Sequence, residues 1–262
     1  MTQSDLLRIE IDGAEPTPAQ LQYVALNGYG HFTAMQVRGG AVRGLHLHLD
    51  RLSSANREMF DVELDGDEIR RYVRHALGDI ADASVRVVVV WSDRDETPVV
   101  LVTVRPPGGL PSTPHRALCV PYQRPLPHLK QVGGGFGQIY YGRLAERQGF
   151  TEVLLTGPDG AISEGGITNV GFFDGSQIVW PNAPQLAGIT MRLLESRLAS
   201  AGLPTRHAAV HVADLPSFSA VFVTNSHGVA PVGRIDDLAV PIDIDLMKRL
   251  STAYESVPWD RI

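Results

Sequence analysis

Strand-like apolar segments occur in both halves of this chain, and helix-like segments separate only some of them. The β-branched runs Arg86–Trp91 and Val99–Val104 flank the polar turn Ser92–Thr97 and predict a β-hairpin in the first half. A doubly wound dinucleotide-binding fold needs regular alternation of strand and helix near its start, and that alternation is missing here. The pattern therefore predicts a mixed α+β protein.

A cluster of prolines and glycines at residues 106–114 is the best candidate for a segment between domains. We expect a small N-terminal α+β domain over residues 1–115 and a larger C-terminal α+β domain over residues 116–262. The periodicity predicts strands at Leu7–Ile11, Gly30–Val37, a return strand through Leu47, Arg86–Trp91, Val99–Val104, Ala117–Tyr122, Thr151–Leu155, Asn169–Phe173, Arg206–Val212 and Ala220–Thr224, and helices at His48–Phe60, Asp65–Ile80, Phe136–Gln148, Thr190–Ala201 and Ile242–Tyr254.

Composition excludes several classes of function. The net charge is −6 and no long basic run is present, so we expect no nucleic-acid-binding face. Cys119 is the only cysteine, which rules out an intrachain disulfide and favours a packed thiol. The segment Met1–Gly13 lacks the apolar core of a signal peptide, and the longest apolar runs are too short to cross a bilayer. We expect a soluble cytoplasmic protein.

Lys130 is one of two lysines in a chain with twenty-one arginines. It follows a proline-rich stretch and precedes the glycine-rich segment Gly133–Gly137. Only a primary amine can lose its proton and form an imine with a carbonyl compound, so arginine cannot replace lysine in this chemistry. The alternative is an ordinary solvated lysine in a loop.

Other segments carry weaker signals when each is taken alone. Gly188-Ile189-Thr190 begins a predicted helix, where backbone N–H groups and a hydroxyl suit a phosphate, although an ordinary N-cap has the same sequence. Glu164 lies among glycines and has a solvated loop acid as its alternative. His46 and His48 alternate on a strand-like stretch without a third ligand, so we expect no metal site.

The order of these segments is more specific than any one of them. Seven segments follow one another at the expected positions: Gly30-His31-Phe32, His48-Leu49-Asp50-Arg51-Leu52, Lys130, Gly149-Phe150, Glu164-Gly165-Gly166-Ile167-Thr168-Asn169, Gly188-Ile189-Thr190, and Thr224-Asn225-Ser226 followed by Pro231-Val232. The chain resembles the class IV pyridoxal-phosphate aminotransferases, the family of branched-chain and D-amino-acid transaminases and aminodeoxychorismate lyase.

The resemblance implies fold type IV, in which two α+β domains hold pyridoxal 5'-phosphate between them. It implies that Lys130 forms the internal aldimine and then moves the α-proton of the substrate. Glu164 would contact the pyridine nitrogen, and Arg51 would hold the phosphate. The full implied cofactor-binding set is Arg51, Glu164, Asn169, Gly188, Ile189, Thr190, Thr224, Asn225 and Ser226. Candidate substrate-lining residues are Tyr29, His31, Phe32 and Gly135.

Departures from the family pattern fall on the substrate side. Thr33 replaces a common glutamate, and Gly133-Gly134-Gly135 replaces the usual asparagine and bulky residue after the lysine. Met191 replaces an arginine after Thr190. The stretch Val87–Asp93, which carries basic residues in some relatives, offers only Trp91 and Ser92, so candidate substrate cations are Arg38, Arg105, Arg124 and Arg143.

We therefore expect an aminotransferase that takes an amino donor and a keto acceptor and, by resemblance, forms a homodimer. A lyase of the aminodeoxychorismate type, which releases pyruvate, is the alternative that Thr224-Asn225-Ser226 favours. A third hypothesis is a pyridoxal-phosphate-binding protein without turnover, which the departures at Thr33 and Gly135 motivate.

Overall fold

A computed structural model describes residues 6–93, 95–111 and 113–262. Arg94 of the predicted turn and Ser112 of the predicted inter-domain segment lie outside these ranges. The chain divides into two compact units that are discontinuous in sequence. Unit 1 comprises residues 1–109, Leu129–Gly134 and Pro258–Ile262, and unit 2 comprises Leu110–His128 and Gly135–Val257. The segments Leu129–Gly134 and Pro258–Ile262 of unit 1 lie after residue 115, where the sequence places the start of the second domain. The domain boundary at residue 115 remains a prediction.

Within the described residues there are fifteen strands and six α-helices. The strands are β1 Arg8–Ile11, β2 Gly30–Val37, β3 Ala41–Arg43, β4 Ala83–Ser92, β5 Thr97–Arg105, β6 His115–Pro121, β7 Glu152–Thr156, β8 Ile162–Gly165, β9 Asn169–Phe173, β10 Ile178–Pro181, β11 Thr205–Ala208, β12 Ala220–Asn225, β13 Gly228–Ile235, β14 Leu238–Ala239 and β15 Trp259–Arg261. The helices are α1 Pro18–Leu26, α2 Leu45–Phe60, α3 Gly66–Leu77, α4 Phe136–Arg147, α5 Ile189–Leu198 and α6 Ile244–Glu255. None of these described helices is both long and apolar enough to cross a membrane.

Unit 1 is built on an antiparallel sheet of four strands in the order β1-β5-β4-β2. Because side chains alternate along a strand, Val85, Val87 and Val89 of β4 pack in one core with residues of α2 and α3, whereas Val88 and Val90 pack on the other face. β15, at the end of the chain, pairs with β3 of the same unit.

Unit 2 is built on a nine-stranded mixed sheet with the order β11-β10-β9-β12-β13-β6-β7-β8, and β14 pairs with β13. α5 and α6 pack on this sheet around the buried side chains Trp180, Phe222, Leu194 and Leu250. Strands buried on both faces explain the continuous apolar runs in this half of the sequence. The fold class predicted from the sequence, α+β, is confirmed.

The return strand predicted through Leu47 is wrong. β3 ends at Arg43 and α2 begins at Leu45, because Gly44 takes a left-handed conformation (φ 70°) that turns the chain into the helix. His46 and His48 therefore lie on a helix and not on a strand. α1 was not predicted from the sequence, because none of its residues is buried and no apolar stripe marks it. A capping box between Thr17 and Gln20 marks its start instead.

Two side chains on α6 test how unit 2 is stabilised. Leu250 is fully buried, whereas Ile244 on the same helix is 77% exposed. We expect Leu250→Ala to lower the free energy of unfolding by about 2–5 kcal/mol, because a cavity remains where the side chain packed. The matched control Ile244→Ala should change it by about 0.5 kcal/mol or less. Urea unfolding followed by tryptophan fluorescence measures both, and equal losses in the two variants would contradict the packing described.

Candidate active site

The segment that carries Lys130 is attached to the free edge of β2. The backbone N–H of Phe32 donates to the Lys130 carbonyl (2.9 Å), and the N–H of Val132 donates to the Gly30 carbonyl (2.8 Å). These bonds extend the unit 1 sheet beyond β2, although the chain on both sides of the segment belongs to unit 2. Lys130 is half-buried at this edge, so the interpretation as a fully solvated loop lysine is wrong.

The glycine after this segment is required by close contact. The N–H of Gly133 donates to the Gly28 carbonyl (3.1 Å), and a Cβ at Gly133 would lie 2.6 Å from that carbonyl oxygen. Any side chain at Gly133 would therefore push the two backbones apart. This contact gives a physical reason for one glycine of the departure from the family pattern.

Lys130 shares an aromatic ring with an arginine that sequence reasoning missed. The Lys130 Nζ lies 4.9 Å from the centroid of the Phe32 ring, and the Arg86 guanidinium carbon lies 3.7 Å from the same centroid. Arg86 lies on β4 opposite Ala34, and its side chain is exposed. Lys130 and Arg86 therefore both contact the Phe32 ring.

Arg86 has no acidic partner among the residues that the structure describes. Partial burial of its guanidinium lowers the pKa of Arg86, and the neighbouring Arg105 lowers it further. A signal for it was present in the sequence, since Arg86 is the one charged residue in the valine-rich run of β4. The interpretation that the strand carries no base failed because the stretch considered began at Val87.

The predicted phosphate-binding helix α2 places His48 and Arg51 in unit 1. His48 is buried, and its Nδ1 lies 2.7 Å from the Thr33 hydroxyl oxygen. Burial lowers the pKa of His48 from 6.5 to about 3, and the charges of Arg51, Lys130 and His46 lower it as well. His48 is therefore neutral, and Thr33 has a defined partner in place of a carboxylate.

The candidate substrate residues do not form one group. His31 and Phe32 are consecutive on β2 and point to opposite faces of the sheet. His31 is buried beside Asn56 (Nε2 to Oδ1 3.4 Å), and Tyr29 packs edge-on against Phe60. Gly135 belongs to unit 2, where it precedes α4. Phe32 contacts Lys130 through its ring.

Glu164 is a buried acid on β8 and not a solvated loop acid. Its Oε1 accepts from Arg124 Nε (2.8 Å), and its Oε2 accepts from the backbone N–H of Leu186 (3.2 Å). Arg124 is buried too and also donates to the carbonyl of Pro127. Arg124, considered above as a substrate cation, thus forms an ion pair with Glu164 and neutralises its buried charge.

Asn169 and Gly188 fix the start of α5. The Asn169 side chain donates to the Leu186 carbonyl (2.7 Å) and to the Gln185 side chain (3.0 Å). A Cβ at Gly188 would lie 1.8 Å from Asn169 Oδ1, so only glycine fits there. Gly188 is the N-cap of α5, and Ile189 is its first residue.

The remaining predicted residues of unit 2 meet at this helix start. The Thr190 hydroxyl donates to the Asn225 carbonyl (2.6 Å), and Asn169 pairs directly with Thr224 across β9 and β12. The Thr224 hydroxyl is buried and has no hydrogen-bond partner among the described residues. A buried hydroxyl without a partner beside the N-terminus of a ten-residue helix fits an anionic group. Ser226 follows Asn225 in the turn before β13.

Comparison with protein families identifies the family of this chain. The family model for amino-transferase class IV matches residues 30–235. The chain belongs to the class IV aminotransferases. The match covers most of the chain and confirms the family that the sequence resembles.

Several solved structures share the fold of this class IV aminotransferase. A hypothetical aminotransferase from Mycobacterium tuberculosis in a PLP-bound form has a TM-score of 0.83 and 21% identity, covering 95% of this chain and 98% of that one. The Escherichia coli branched-chain amino acid aminotransferase has a TM-score of 0.85 and 17% identity, covering 95% and 94%. A Legionella pneumophila protein whose name assigns it to the 4-amino-4-deoxychorismate lyases has a TM-score of 0.80 and 17% identity, covering 90% and 93%. A search of curated proteins found no match.

The neutral His48 predicts a pH dependence of stability. The imidazole binds a proton near pH 6.5 when unfolded but only near pH 3 when folded, so protonation favours unfolding. The contribution of neutral His48 to the free energy of unfolding is complete above pH 6.5 and is lost as the pH falls. The free energy of unfolding should therefore decrease by about 2 kcal/mol between pH 7 and pH 5.

The variant His48→Asn removes the titrating group and keeps a polar partner for Thr33. We expect it to be less stable than the wild type at pH 7 but to lose less stability between pH 7 and pH 5, as measured by urea unfolding. His46→Asn, on the exposed side of α2, is the matched control and should retain the wild-type pH dependence. The same pH dependence in His48→Asn as in the wild type would contradict the assignment.

Proposed function

We propose that this class IV aminotransferase uses pyridoxal phosphate to transfer an amino group between an amino acid or small amine and a keto acid. Family membership and the PLP-bound form of the similar mycobacterial structure support this cofactor. The observation that carries the proposal is Lys130, a half-buried amine fixed to the edge of β2 beside Phe32. Bound pyridoxal phosphate supplies an electron sink for a carbanion at the substrate Cα.

Each proposed role follows from the surroundings of one residue. Lys130 Nζ would hold the cofactor and, once free, would accept the proton from the substrate Cα and later donate it. Glu164, oriented by Arg124 and by the Leu186 N–H, would accept a hydrogen bond from the pyridine N–H. This bond favours the protonated ring nitrogen.

Phosphate-binding donors are proposed within each unit separately. Arg51 offers a guanidinium, and the first turn of α5 offers backbone N–H groups together with the Thr190 side chain. The Thr224 hydroxyl gains the hydrogen-bond partner that it otherwise lacks. Asn169 and Gly188 act by fixing the start of α5, and Asn225 acts by holding Thr190.

The substrate carboxylate is proposed to bind Arg86. Arg86 carries no acidic partner among the described residues, and its partly buried guanidinium shares the Phe32 ring with Lys130. A carboxylate bonded to the Cα that Lys130 deprotonates lies within reach of a cation so placed. Phe32 supplies an apolar surface between the two charges.

Lyase chemistry with the same cofactor remains the second candidate. Similarity to the Legionella protein assigned as a lyase supports it, and Arg86 on β4 offers a cation for a substrate carboxylate. Pyruvate release from an amino substrate, compared with amino transfer to a keto acid, separates the two reactions. Binding of pyridoxal phosphate without either reaction would support the third hypothesis.

A cytoplasmic homodimer also remains a proposal. The exposed apolar side chains Phe136 and Ile139 on α4 support self-association, because a helix with such a face usually packs against another surface. Light scattering on the purified protein would measure its oligomeric state.

The cofactor and its lysine can be tested together because the chain has only two lysines. We expect added pyridoxal phosphate to give a visible absorption band that borohydride removes. Peptide mapping should then find the reduced pyridoxyl group on Lys130. Lys130→Ala should lose the band, and the matched control Lys248→Ala should keep it. A label on Lys248, or an unchanged band in Lys130→Ala, would refute the assigned role of Lys130.

Arg86→Gln tests the substrate cation. We expect KM for carboxylate-bearing amino donors to rise about 10- to 100-fold, the equivalent of one charge-assisted hydrogen bond, with the cofactor absorption unchanged. Amines without a carboxylate should react as they do with the wild type. Arg71→Gln is the matched control, because Arg71 also lies over an aromatic ring of unit 1, that of Tyr72. A uniform change for both classes of donor would exclude Arg86 as the carboxylate-binding residue.

A further inference from the structure

The helix that carries His48 and Arg51 has no side-chain cap from its own N-terminal residues. Its N-cap is Gly44, which has no side chain, and the first turn of α2 contains no acidic residue. An uncapped helix start leaves backbone N–H groups without partners, and a carboxylate there is the group that the helix dipole favours. The missing carboxylate comes from the end of the chain. Asp260 Oδ2 accepts a hydrogen bond from the Leu45 N–H at 2.9 Å, across 215 residues of sequence.

Asp260 is held in place by the pairing of β15 with β3. Asp260 lies opposite Val42, and the N–H of Ile262 donates to the Gly40 carbonyl (3.3 Å). Side chains from α3 bind the same strand, since Arg70 donates to the Arg261 carbonyl (3.3 Å) and Arg74 to an oxygen of Ile262 (3.2 Å). The chain leaves unit 2 after α6 and adds its last five residues to unit 1. These hydrogen bonds hold Asp260 at the start of α2.

The electrostatics near α2 explain why a carboxylate is useful there. Burial lowers the pKa of His48, and the positive charges of Arg51 and Lys130 lower it further. The positive end of the helix dipole adds to this potential. A positive potential attracts a phosphate but repels the groups that create it while no phosphate is bound. Asp260 supplies a negative charge at the helix start, where it stabilises the first turn.

We propose that Asp260 is a positioning residue, which fixes the N-terminus of α2 and so holds Arg51 ready to bind the phosphate of the cofactor. This inference rests on the proposed function, because Arg51 is the group through which Asp260 acts. Asp260 makes no contact with the phosphate in this proposal. The last strand of the chain therefore contributes to cofactor affinity from outside the binding site.

The test compares cofactor affinity in two helix-cap variants of unit 1. Asp65 caps α3 by accepting from the Asp67 N–H (2.9 Å), and α3 carries none of the proposed cofactor residues. We expect Asp260→Ala to raise the Kd for pyridoxal phosphate about five-fold, the equivalent of one cap. Asp65→Ala should lower the melting temperature by about as much as Asp260→Ala does, but it should change Kd by less than about two-fold.

A double-mutant cycle separates positioning from a general loss of stability. In an Arg51→Gln background, Asp260→Ala should raise Kd no further, because the group through which it acts is gone. Asp260→Asn keeps a hydrogen-bond acceptor and loses the charge, so we expect an intermediate Kd. If Asp260→Ala does not fold, an unchanged Kd in Asp260→Asn decides against the proposal.

Three other results overturn the inference. A wild-type Kd in Asp260→Ala refutes positioning by Asp260 and leaves the proposed function intact. Equal rises in Kd in Asp260→Ala and Asp65→Ala show that loss of any cap acts through general stability. A wild-type protein that binds no pyridoxal phosphate refutes the proposed function and, with it, this inference.

Discussion

Backbone hydrogen bonds between β2 and the segment Lys130–Gly133 place the amine that the proposed chemistry needs. β2 is an edge strand of the unit 1 sheet, and its outward N–H and C=O groups require partners. The segment supplies them through Lys130 and Val132, and Gly133 bonds to Gly28 just before β2, while the chain before and after the segment belongs to unit 2. Without this pairing, Lys130 would be a lysine in a proline- and glycine-rich loop. With it, Lys130 lies beside Phe32, on the same ring as Arg86.

Charge is arranged differently in the two units. In unit 1, Arg51, Lys130 and Arg86 are cationic, and burial keeps His31 and His48 neutral. In unit 2, the buried Glu164 is paired with Arg124. A buried ion pair adds little to stability by itself, but it fixes the direction of the carboxylate. Thr33 replaces an acid common in the family, and Asp260 supplies a carboxylate at the start of α2.

Local sequence patterns predicted most of the secondary structure and failed where a single backbone position decided the outcome. The hairpin of β4 and β5 follows from two β-branched runs on either side of a polar turn. The return strand was predicted too long, because periodicity does not register the left-handed turn at Gly44. α1 was missed because none of its residues is fully buried, and only Tyr23 and Val24 pack, partly buried, against a core.

The sequence by itself determined the α+β class, the order of the segments that define the family and the pyridoxal phosphate cofactor, and it led to the proposal that Lys130 attaches that cofactor. Only the tertiary structure decided which side chains surround these positions: Arg86 beside Phe32, Arg124 on Glu164, Asp260 on α2, and His31 and Phe32 on opposite faces of β2. Short-range patterns report on residues that are close in sequence, whereas Arg124 and Glu164 are 40 residues apart and Asp260 and Leu45 are 215 apart. Such contacts exist only because sheet pairing and core packing bring distant segments together, so no local pattern encodes them.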